Sequence, residues 1–109
     1  MNSFYDALEN SDPAEREADL MAALPTQIEN ARSNSPAFAE ILAGIDPASI
    51  NSRAALATLP VTRKYQLQER QAAQRADNAF GGFATMGFGP GMPRVFCSPG
   101  PIYEPEGIR

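Results

Sequence analysis

Phe80-Gly81-Gly82-Phe83-Ala84-Thr85-Met86-Gly87-Phe88-Gly89-Pro90-Gly91-Met92-Pro93-Arg94-Val95-Phe96-Cys97 decides the fold class, because here the chain leaves helical spacing for aromatic residues interleaved with glycine. The pattern predicts a short strand over 80–85, a turn over 87–92 and a second strand over 94–97, which together make a β-hairpin. The run that follows, Ser98-Pro99-Gly100-Pro101-Ile102-Tyr103-Glu104-Pro105-Glu106-Gly107-Ile108-Arg109, carries three prolines and two glycines. It reads as a ligand-facing turn after a strand, with no partner strand to follow it, and so as the beginning of a site in something larger.

Upstream, start and stop signals mark a series of helices. Asp12 caps a helix over 13–33, with Pro13 at its first position and Glu15 as the capping-box partner. Leu20, Met21, Leu24, Ile28 and Ala31 form its apolar stripe, and Pro25 is expected to bend it rather than divide it. Ser35-Pro36 opens a short helix carrying Phe38, Ile41 and Leu42, closed by Gly44 in a left-handed conformation. Asp46-Pro47 begins a single turn through Ile50, and Ser52 caps a short helix with Ala55, Leu56 and Leu59. Beyond Pro60, Thr62 caps a helix over 63–76 anchored by Tyr65 and Leu67. Its glutamines, Gln66, Gln68, Gln71 and Gln74, read as a solvated face with Glu69, Arg70 and Arg75. The expected class is mostly α with a small β-hairpin (α+β), divided into a helical subdomain over 1–78 and a glycine- and proline-rich region over 79–109.

Composition narrows the function. A chain of 109 residues holds one domain, and a 43% hydrophobic share without tryptophan gives a thin core. Nine basic against thirteen acidic residues, a net charge of −4, oppose nucleic-acid binding, which depends on neutralising phosphates. With no histidine and a single cysteine, the chain has no Ser-His-Asp triad, no usual zinc site and no internal disulfide. The start lacks a signal-peptide pattern and no apolar run approaches a membrane span, so a soluble, cytoplasmic protein is expected.

Four features carry competing readings. Gly87, Gly89 and Gly91 suit an anion nest or a plain turn, and the turn is favoured because neither a helix start nor a lysine follows. Cys97 suits a nucleophile or a small buried strand residue, and without a histidine base the second is favoured. Glu104 and Glu106 suit an acid–base pair or solvated carboxylates, and Arg63-Lys64 suits a phosphate contact or a solvated first turn. The residues themselves point to no catalytic group and no metal ligand.

Three segments carry a resemblance: Tyr5-Asp6-Ala7-Leu8-Glu9; Gln27-Ile28-Glu29-Asn30-Ala31 with Asn34-Ser35-Pro36-Ala37-Phe38; and Leu59-Pro60-Val61-Thr62-Arg63-Lys64. The last resembles the Leu-Pro-x-Thr-x-Lys segment of the phenylacetate-CoA ligase family, within the adenylate-forming (AMP-binding) superfamily. The chain is similar to the first quarter of such an enzyme. The resemblance implies a parent ligase that uses ATP and Mg²⁺ to turn an aryl or related carboxylate into an acyl-adenylate, then passes the acyl group to coenzyme A. The fragment itself is then expected to be inactive and to hold no cofactor. Its partner is the remainder of the adenylation domain, and the alternative is a free-standing, non-enzymatic helical module whose exposed apolar stripe meets a partner or a second copy as a homodimer. The family's phosphate loop, Ser-Ser-Gly-Thr-Thr-Gly-Lys-Pro, aligns with Ser98-Pro99-Gly100-Pro101-Ile102-Tyr103-Glu104-Pro105, so 79–109 includes the start of the nucleotide-loop region. Ser98 and Gly100 are the nucleotide-site residues it implies. Pro101 and Ile102 stand for the two threonines and Glu104 for the lysine, which removes two hydroxyls, one amide donor and the positive charge.

Overall fold

The structure is a computed structural model and describes residues 3–108. A single 3₁₀ turn, Ala7–Asn10, is capped by the Asp6 carboxylate. Helix α1 (Pro13–Asn34) starts as the sequence predicts: Asp12 Oδ1 accepts from the Ala14 and Glu15 amides at 2.9 and 3.2 Å, and Pro13 takes a position where no amide hydrogen is needed. It continues through Pro25 as one helix.

Ser35 ends α1 and starts α2 (Pro36–Ile41), its hydroxyl accepting from the Phe38 amide. Gly44 follows α2 with a φ of +78°, the left-handed stop expected of it. Asp46 caps the 3₁₀ turn Pro47–Ser49, and Ser52 caps α3 (Arg53–Leu56). Helix α4 spans Lys64–Gln74. Its cap is Arg63 and not Thr62, because Gln66 at the third position reaches back to accept from the Arg63 amide at 2.8 Å. That contact satisfies the helix start from inside.

The core is small. Ile28, Leu42 and Ile50 are buried together, with Leu24, Ala31, Phe38, Ile41, Ile45, Ala55 and Leu59 packed around them. Only the second half of the α1 stripe takes part, and Leu20 is 57% exposed. Tyr65, expected to anchor α4, is exposed as well, while the buried residue of that helix is Gln71.

The hairpin exists, one strand later than the sequence suggests. Residues 80–85 form no strand: the Gly81 amide donates to Asn78 O and the Phe83 amide to Phe80 O, and both Gly81 and Gly82 have positive φ. Two consecutive left-handed residues cannot continue an extended strand. Strand β1 (Arg94–Ser98) pairs antiparallel with β2 (Ile102–Glu106), in the register Arg94↔Glu106, Val95↔Pro105, Phe96↔Glu104, Cys97↔Tyr103 and Ser98↔Ile102. The run read as an unpartnered loop therefore supplies the partner strand. The architecture remains mostly helical with one two-stranded antiparallel hairpin.

Two glycines join the halves. The Gly82 carbonyl accepts from the Ala37 amide at 3.0 Å and from the Ser35 hydroxyl at 2.7 Å, and the Gly81 carbonyl accepts from Arg70 Nε at 2.7 Å. A Cβ at Gly81 would collide with the α4 backbone at 2.9 Å, and one at Gly82 would press on the start of α2 at 3.2 Å.

The molecule is open for its size. Its radius of gyration is 16.5 Å, where a compact chain of this length has about 13 Å. It exposes 7838 Å², about 1,900 Å² above the ~5,900 Å² of a compact monomer of this mass.

Candidate functional site

Ser98 closes β1, and Pro99, Gly100 and Pro101 make the turn to β2, so the two residues implied by the resemblance lie at one end of the hairpin. Helix α4 fixes that end. Gln68 Nε2 donates to the Gly100 carbonyl at 2.9 Å, and Tyr65, Glu69, Ala72 and Arg75 line a recess of about 330 Å³ with Gly100 and Pro101.

One turn further along α4, Gln71 is only 3% exposed. Its Oε1 accepts from the Tyr103 amide at 2.8 Å, and its Nε2 donates to the carbonyls of Tyr103 at 2.9 Å and Phe80 at 3.3 Å. The side-chain amide thus stands where a neighbouring strand would stand on the outer edge of β2. The sequence reading placed Gln71 on a solvated face. Its position four residues after Leu67, on the same side of α4, was the available signal.

The turn supplies little for an anion. Of residues 99–101 only Gly100 has a backbone N–H, because the other two are prolines. Glu104 is exposed in β2, where the aligned loop has its lysine. The residues lining the recess include one cation, Arg75, and one anion, Glu69, so they bring no net positive charge. This donor set does not fit a triphosphate, which needs several amides and a cation. No group of three or more His, Cys, Asp or Glu among the described residues is placed to hold a metal.

The Leu-Pro-x-Thr-x-Lys segment lines a different recess from the turn. Pro60, Val61 and Thr62 line a recess of about 580 Å³ with Ile41, Phe83 and Arg70. Arg70 is its organising charge: it pairs with both carboxylate oxygens of Glu40 at 2.8 and 3.0 Å, and its guanidinium carbon lies 5.9 Å from the Phe83 ring centre. Hydrogen bonding by Arg70 holds the Glu40 carboxyl below the usual carboxylate range, as Arg53 does for Glu17 across the α1–α3 contact. A carboxyl lowered in the folded state stabilises the fold above its unfolded value and loses that contribution as pH falls through the folded value. Urea midpoints should therefore be level near neutrality and decline once pH drops below the ordinary 4.5, with Glu40→Gln removing part of the slope. An unchanged slope in that variant would remove the Arg70–Glu40 pair from the acid response.

Cys97 corrects the sequence reading in another way. It was expected as a small buried residue, and it is exposed on β1, with its thiol making only a long contact, 3.8 Å, to the Ser98 carbonyl. Glu104 and Glu106 also separate in role, since Glu106 pairs with Arg94 through two contacts at 2.6 and 2.9 Å, whereas Glu104 is exposed. Arg63 and Lys64 sit at the exposed start of α4. Gly87, Gly89 and Gly91 lie in an open loop that includes a turn closed by Met92 N–H to Gly89 O.

No helix among the described residues is long and apolar enough to cross a membrane. No protein family, curated protein or solved structure matches the chain.

Proposed function

We propose that this chain is the amino-terminal helical subdomain of a cytoplasmic, phenylacetate-CoA-ligase-like adenylate-forming protein, and that it positions structure without carrying chemistry itself. The observation that supports this reading most is the surface. About 1,900 Å² beyond a compact monomer is more than the roughly 800 Å² that each partner contributes to a standard interface, and it includes the exposed apolar side chains of Leu20, Val61, Tyr65, Val95 and Phe96. The rest of an adenylation domain is the body that covers it.

In this reading ATP, Mg²⁺ and coenzyme A belong to the parent, and the turn at Ser98–Gly100 contributes position rather than phosphate affinity. The chain alone should show no ATP–pyrophosphate exchange and form no acyl-CoA, and measurable turnover would refute the assignment of a non-catalytic role. Reading the coding sequence past Arg109 tests the parentage. A downstream adenylation domain with a Tyr-x-x-Thr-Glu-like motif supports it, and a stop codon overturns it in favour of a separate module.

A further inference from the structure

Among the described residues the hairpin has one edge closed, along β2, and one edge open, along β1. The Tyr103 amide and carbonyl both bind Gln71, so both face away from β1. In an antiparallel ladder that makes Cys97↔Tyr103 a pair without mutual hydrogen bonds, and alternation puts Val95↔Pro105 in the same class. Pro105, which has no N–H, fits that class. The N–H and C=O groups of Val95 and Cys97 consequently point outward from the free edge of β1. The outer edge of β2 is occupied by Gln71 and lacks a donor at Pro105, so it cannot extend the sheet.

We propose that β1 pairs antiparallel with β1 of a second copy, joining two hairpins into a four-stranded sheet whose two-fold axis passes beside Phe96. The next outward positions beyond Val95 and Cys97 are Pro93 and Pro99, which have no amide hydrogen. Placing Val95 opposite the partner's Cys97 uses every outward donor and acceptor of both residues in both strands. A slip of two residues sets one of their carbonyls against a proline that cannot donate.

The side chains suit the same register. Phe96, 49% exposed, meets its own counterpart across the axis, and Val95 meets the partner's Cys97 on the other face. The only charge on β1, Arg94, is neutralised by Glu106 while its guanidinium carbon lies 5.7 Å from the Phe96 ring centre, and in this register Arg94 stands opposite the partner's Ser98 and not a like charge. Because only one edge is open, the association is isologous and stops at two copies rather than growing into a fibre. This pairing concerns the 109-residue chain as a species and does not rest on the ligase reading: a monomer would leave that reading standing.

Sedimentation equilibrium on the 109-residue chain, from micromolar to hundreds of micromolar, tests it. The expected result is a monomer–dimer equilibrium with no larger species. Val95→Pro removes an outward donor from each copy and leaves the β1–β2 ladder intact, because the Val95 N–H takes no part in it. It should weaken the dimer by roughly tenfold or more, at about 1 kcal/mol for each of the two lost hydrogen bonds. Unchanged amide-exchange protection at Phe96 would show that the hairpin survives. Phe96→Arg, which sets like charges across the axis, should weaken the dimer independently should Val95→Pro fail to fold. A nitroxide on Cys97, the sole cysteine, should show dipolar coupling in wild type within roughly 20 Å, since neighbouring strands lie about 5 Å apart. A monomer throughout the range, or a dimer that neither substitution weakens, would overturn the proposal. So would Val95 and Cys97 amides that become protected only in a longer product of the same reading frame, which would assign the edge to a strand of the parent.

Discussion

Gly81→Ala should cost roughly 2–4 kcal/mol of unfolding free energy, enough to leave a chain with so thin a core marginally folded. A Cβ built at Gly81 lies 2.9 Å from the Gln71 amide nitrogen and 3.1 Å from both Arg70 C and Gln71 Cα. All three are backbone atoms of α4, which cannot rotate aside as a side chain would. The residue also sits at a φ of +61°, where any L side chain adds about 1 kcal/mol or more. Relief by shifting the loop would stretch the bond from Arg70 Nε to the Gly81 carbonyl and the contact of Gly82 with α2, so the strain has no inexpensive outlet. Urea unfolding followed by circular dichroism measures the effect. A loss under about 0.5 kcal/mol would mean that α4 and the glycine turn are not in the contact described.

Gln71→Met, which keeps length and apolar bulk, should cost about 2–4 kcal/mol and release the hairpin before the helices. It removes three hydrogen bonds at once and leaves the carbonyls of Phe80 and Tyr103 and the amide of Tyr103 without their partner. A two-stranded hairpin is marginal on its own, so loss of this clasp should raise exchange of the hairpin amides, Tyr103 foremost. Amides of α1 and α2 should keep most of their protection, because Ile28, Leu42 and Ile50 pack without the hairpin. Gln71→Glu is the sharper variant: it retains an acceptor for the Tyr103 amide but loses both donations and places a charge where only 3% of the residue is exposed. Wild-type protection at Tyr103 in Gln71→Met would contradict the clasp.

These two positions also show what the sequence discloses and what it conceals. Helix starts were legible because a cap is a local event. Asp12, Ser35, Asp46 and Ser52 each bind an amide two or three residues on, and each precedes the helix or turn expected of it. The cap of α4 was misplaced by one residue because Gln66, inside the helix, closes the first turn onto the Arg63 amide, one residue beyond Thr62. The β-hairpin was legible in kind and misplaced in position. Phe80 and Phe83 suggest a strand by composition, but Gly81 and Gly82 are held at positive φ by contacts to α2 and α4, which no local pattern reveals. Tyr103-Glu104-Pro105 concealed a strand because proline is read as a breaker, although at an outward-facing edge position it costs the ladder nothing. Gln71 was concealed for the same reason in reverse: a glutamine reads as solvated until a strand edge lies beside it. As for the site, Ser98 and Gly100 fall together at the hairpin turn, while the exposure of Cys97 depends on whether another element covers its face of the hairpin, and β1 is exposed over Arg94–Cys97.

Carboxylate-dependent ATP–pyrophosphate exchange addresses the functional proposal most directly, assayed on the product of the complete reading frame, on that product without residues 1–109, and on the 109-residue chain by itself. The expected result is exchange with an aryl carboxylate in the first sample alone. Exchange by the isolated chain, exchange that persists after its removal, or a reading frame that closes at Arg109 would contradict a positioning role within an adenylate-forming parent.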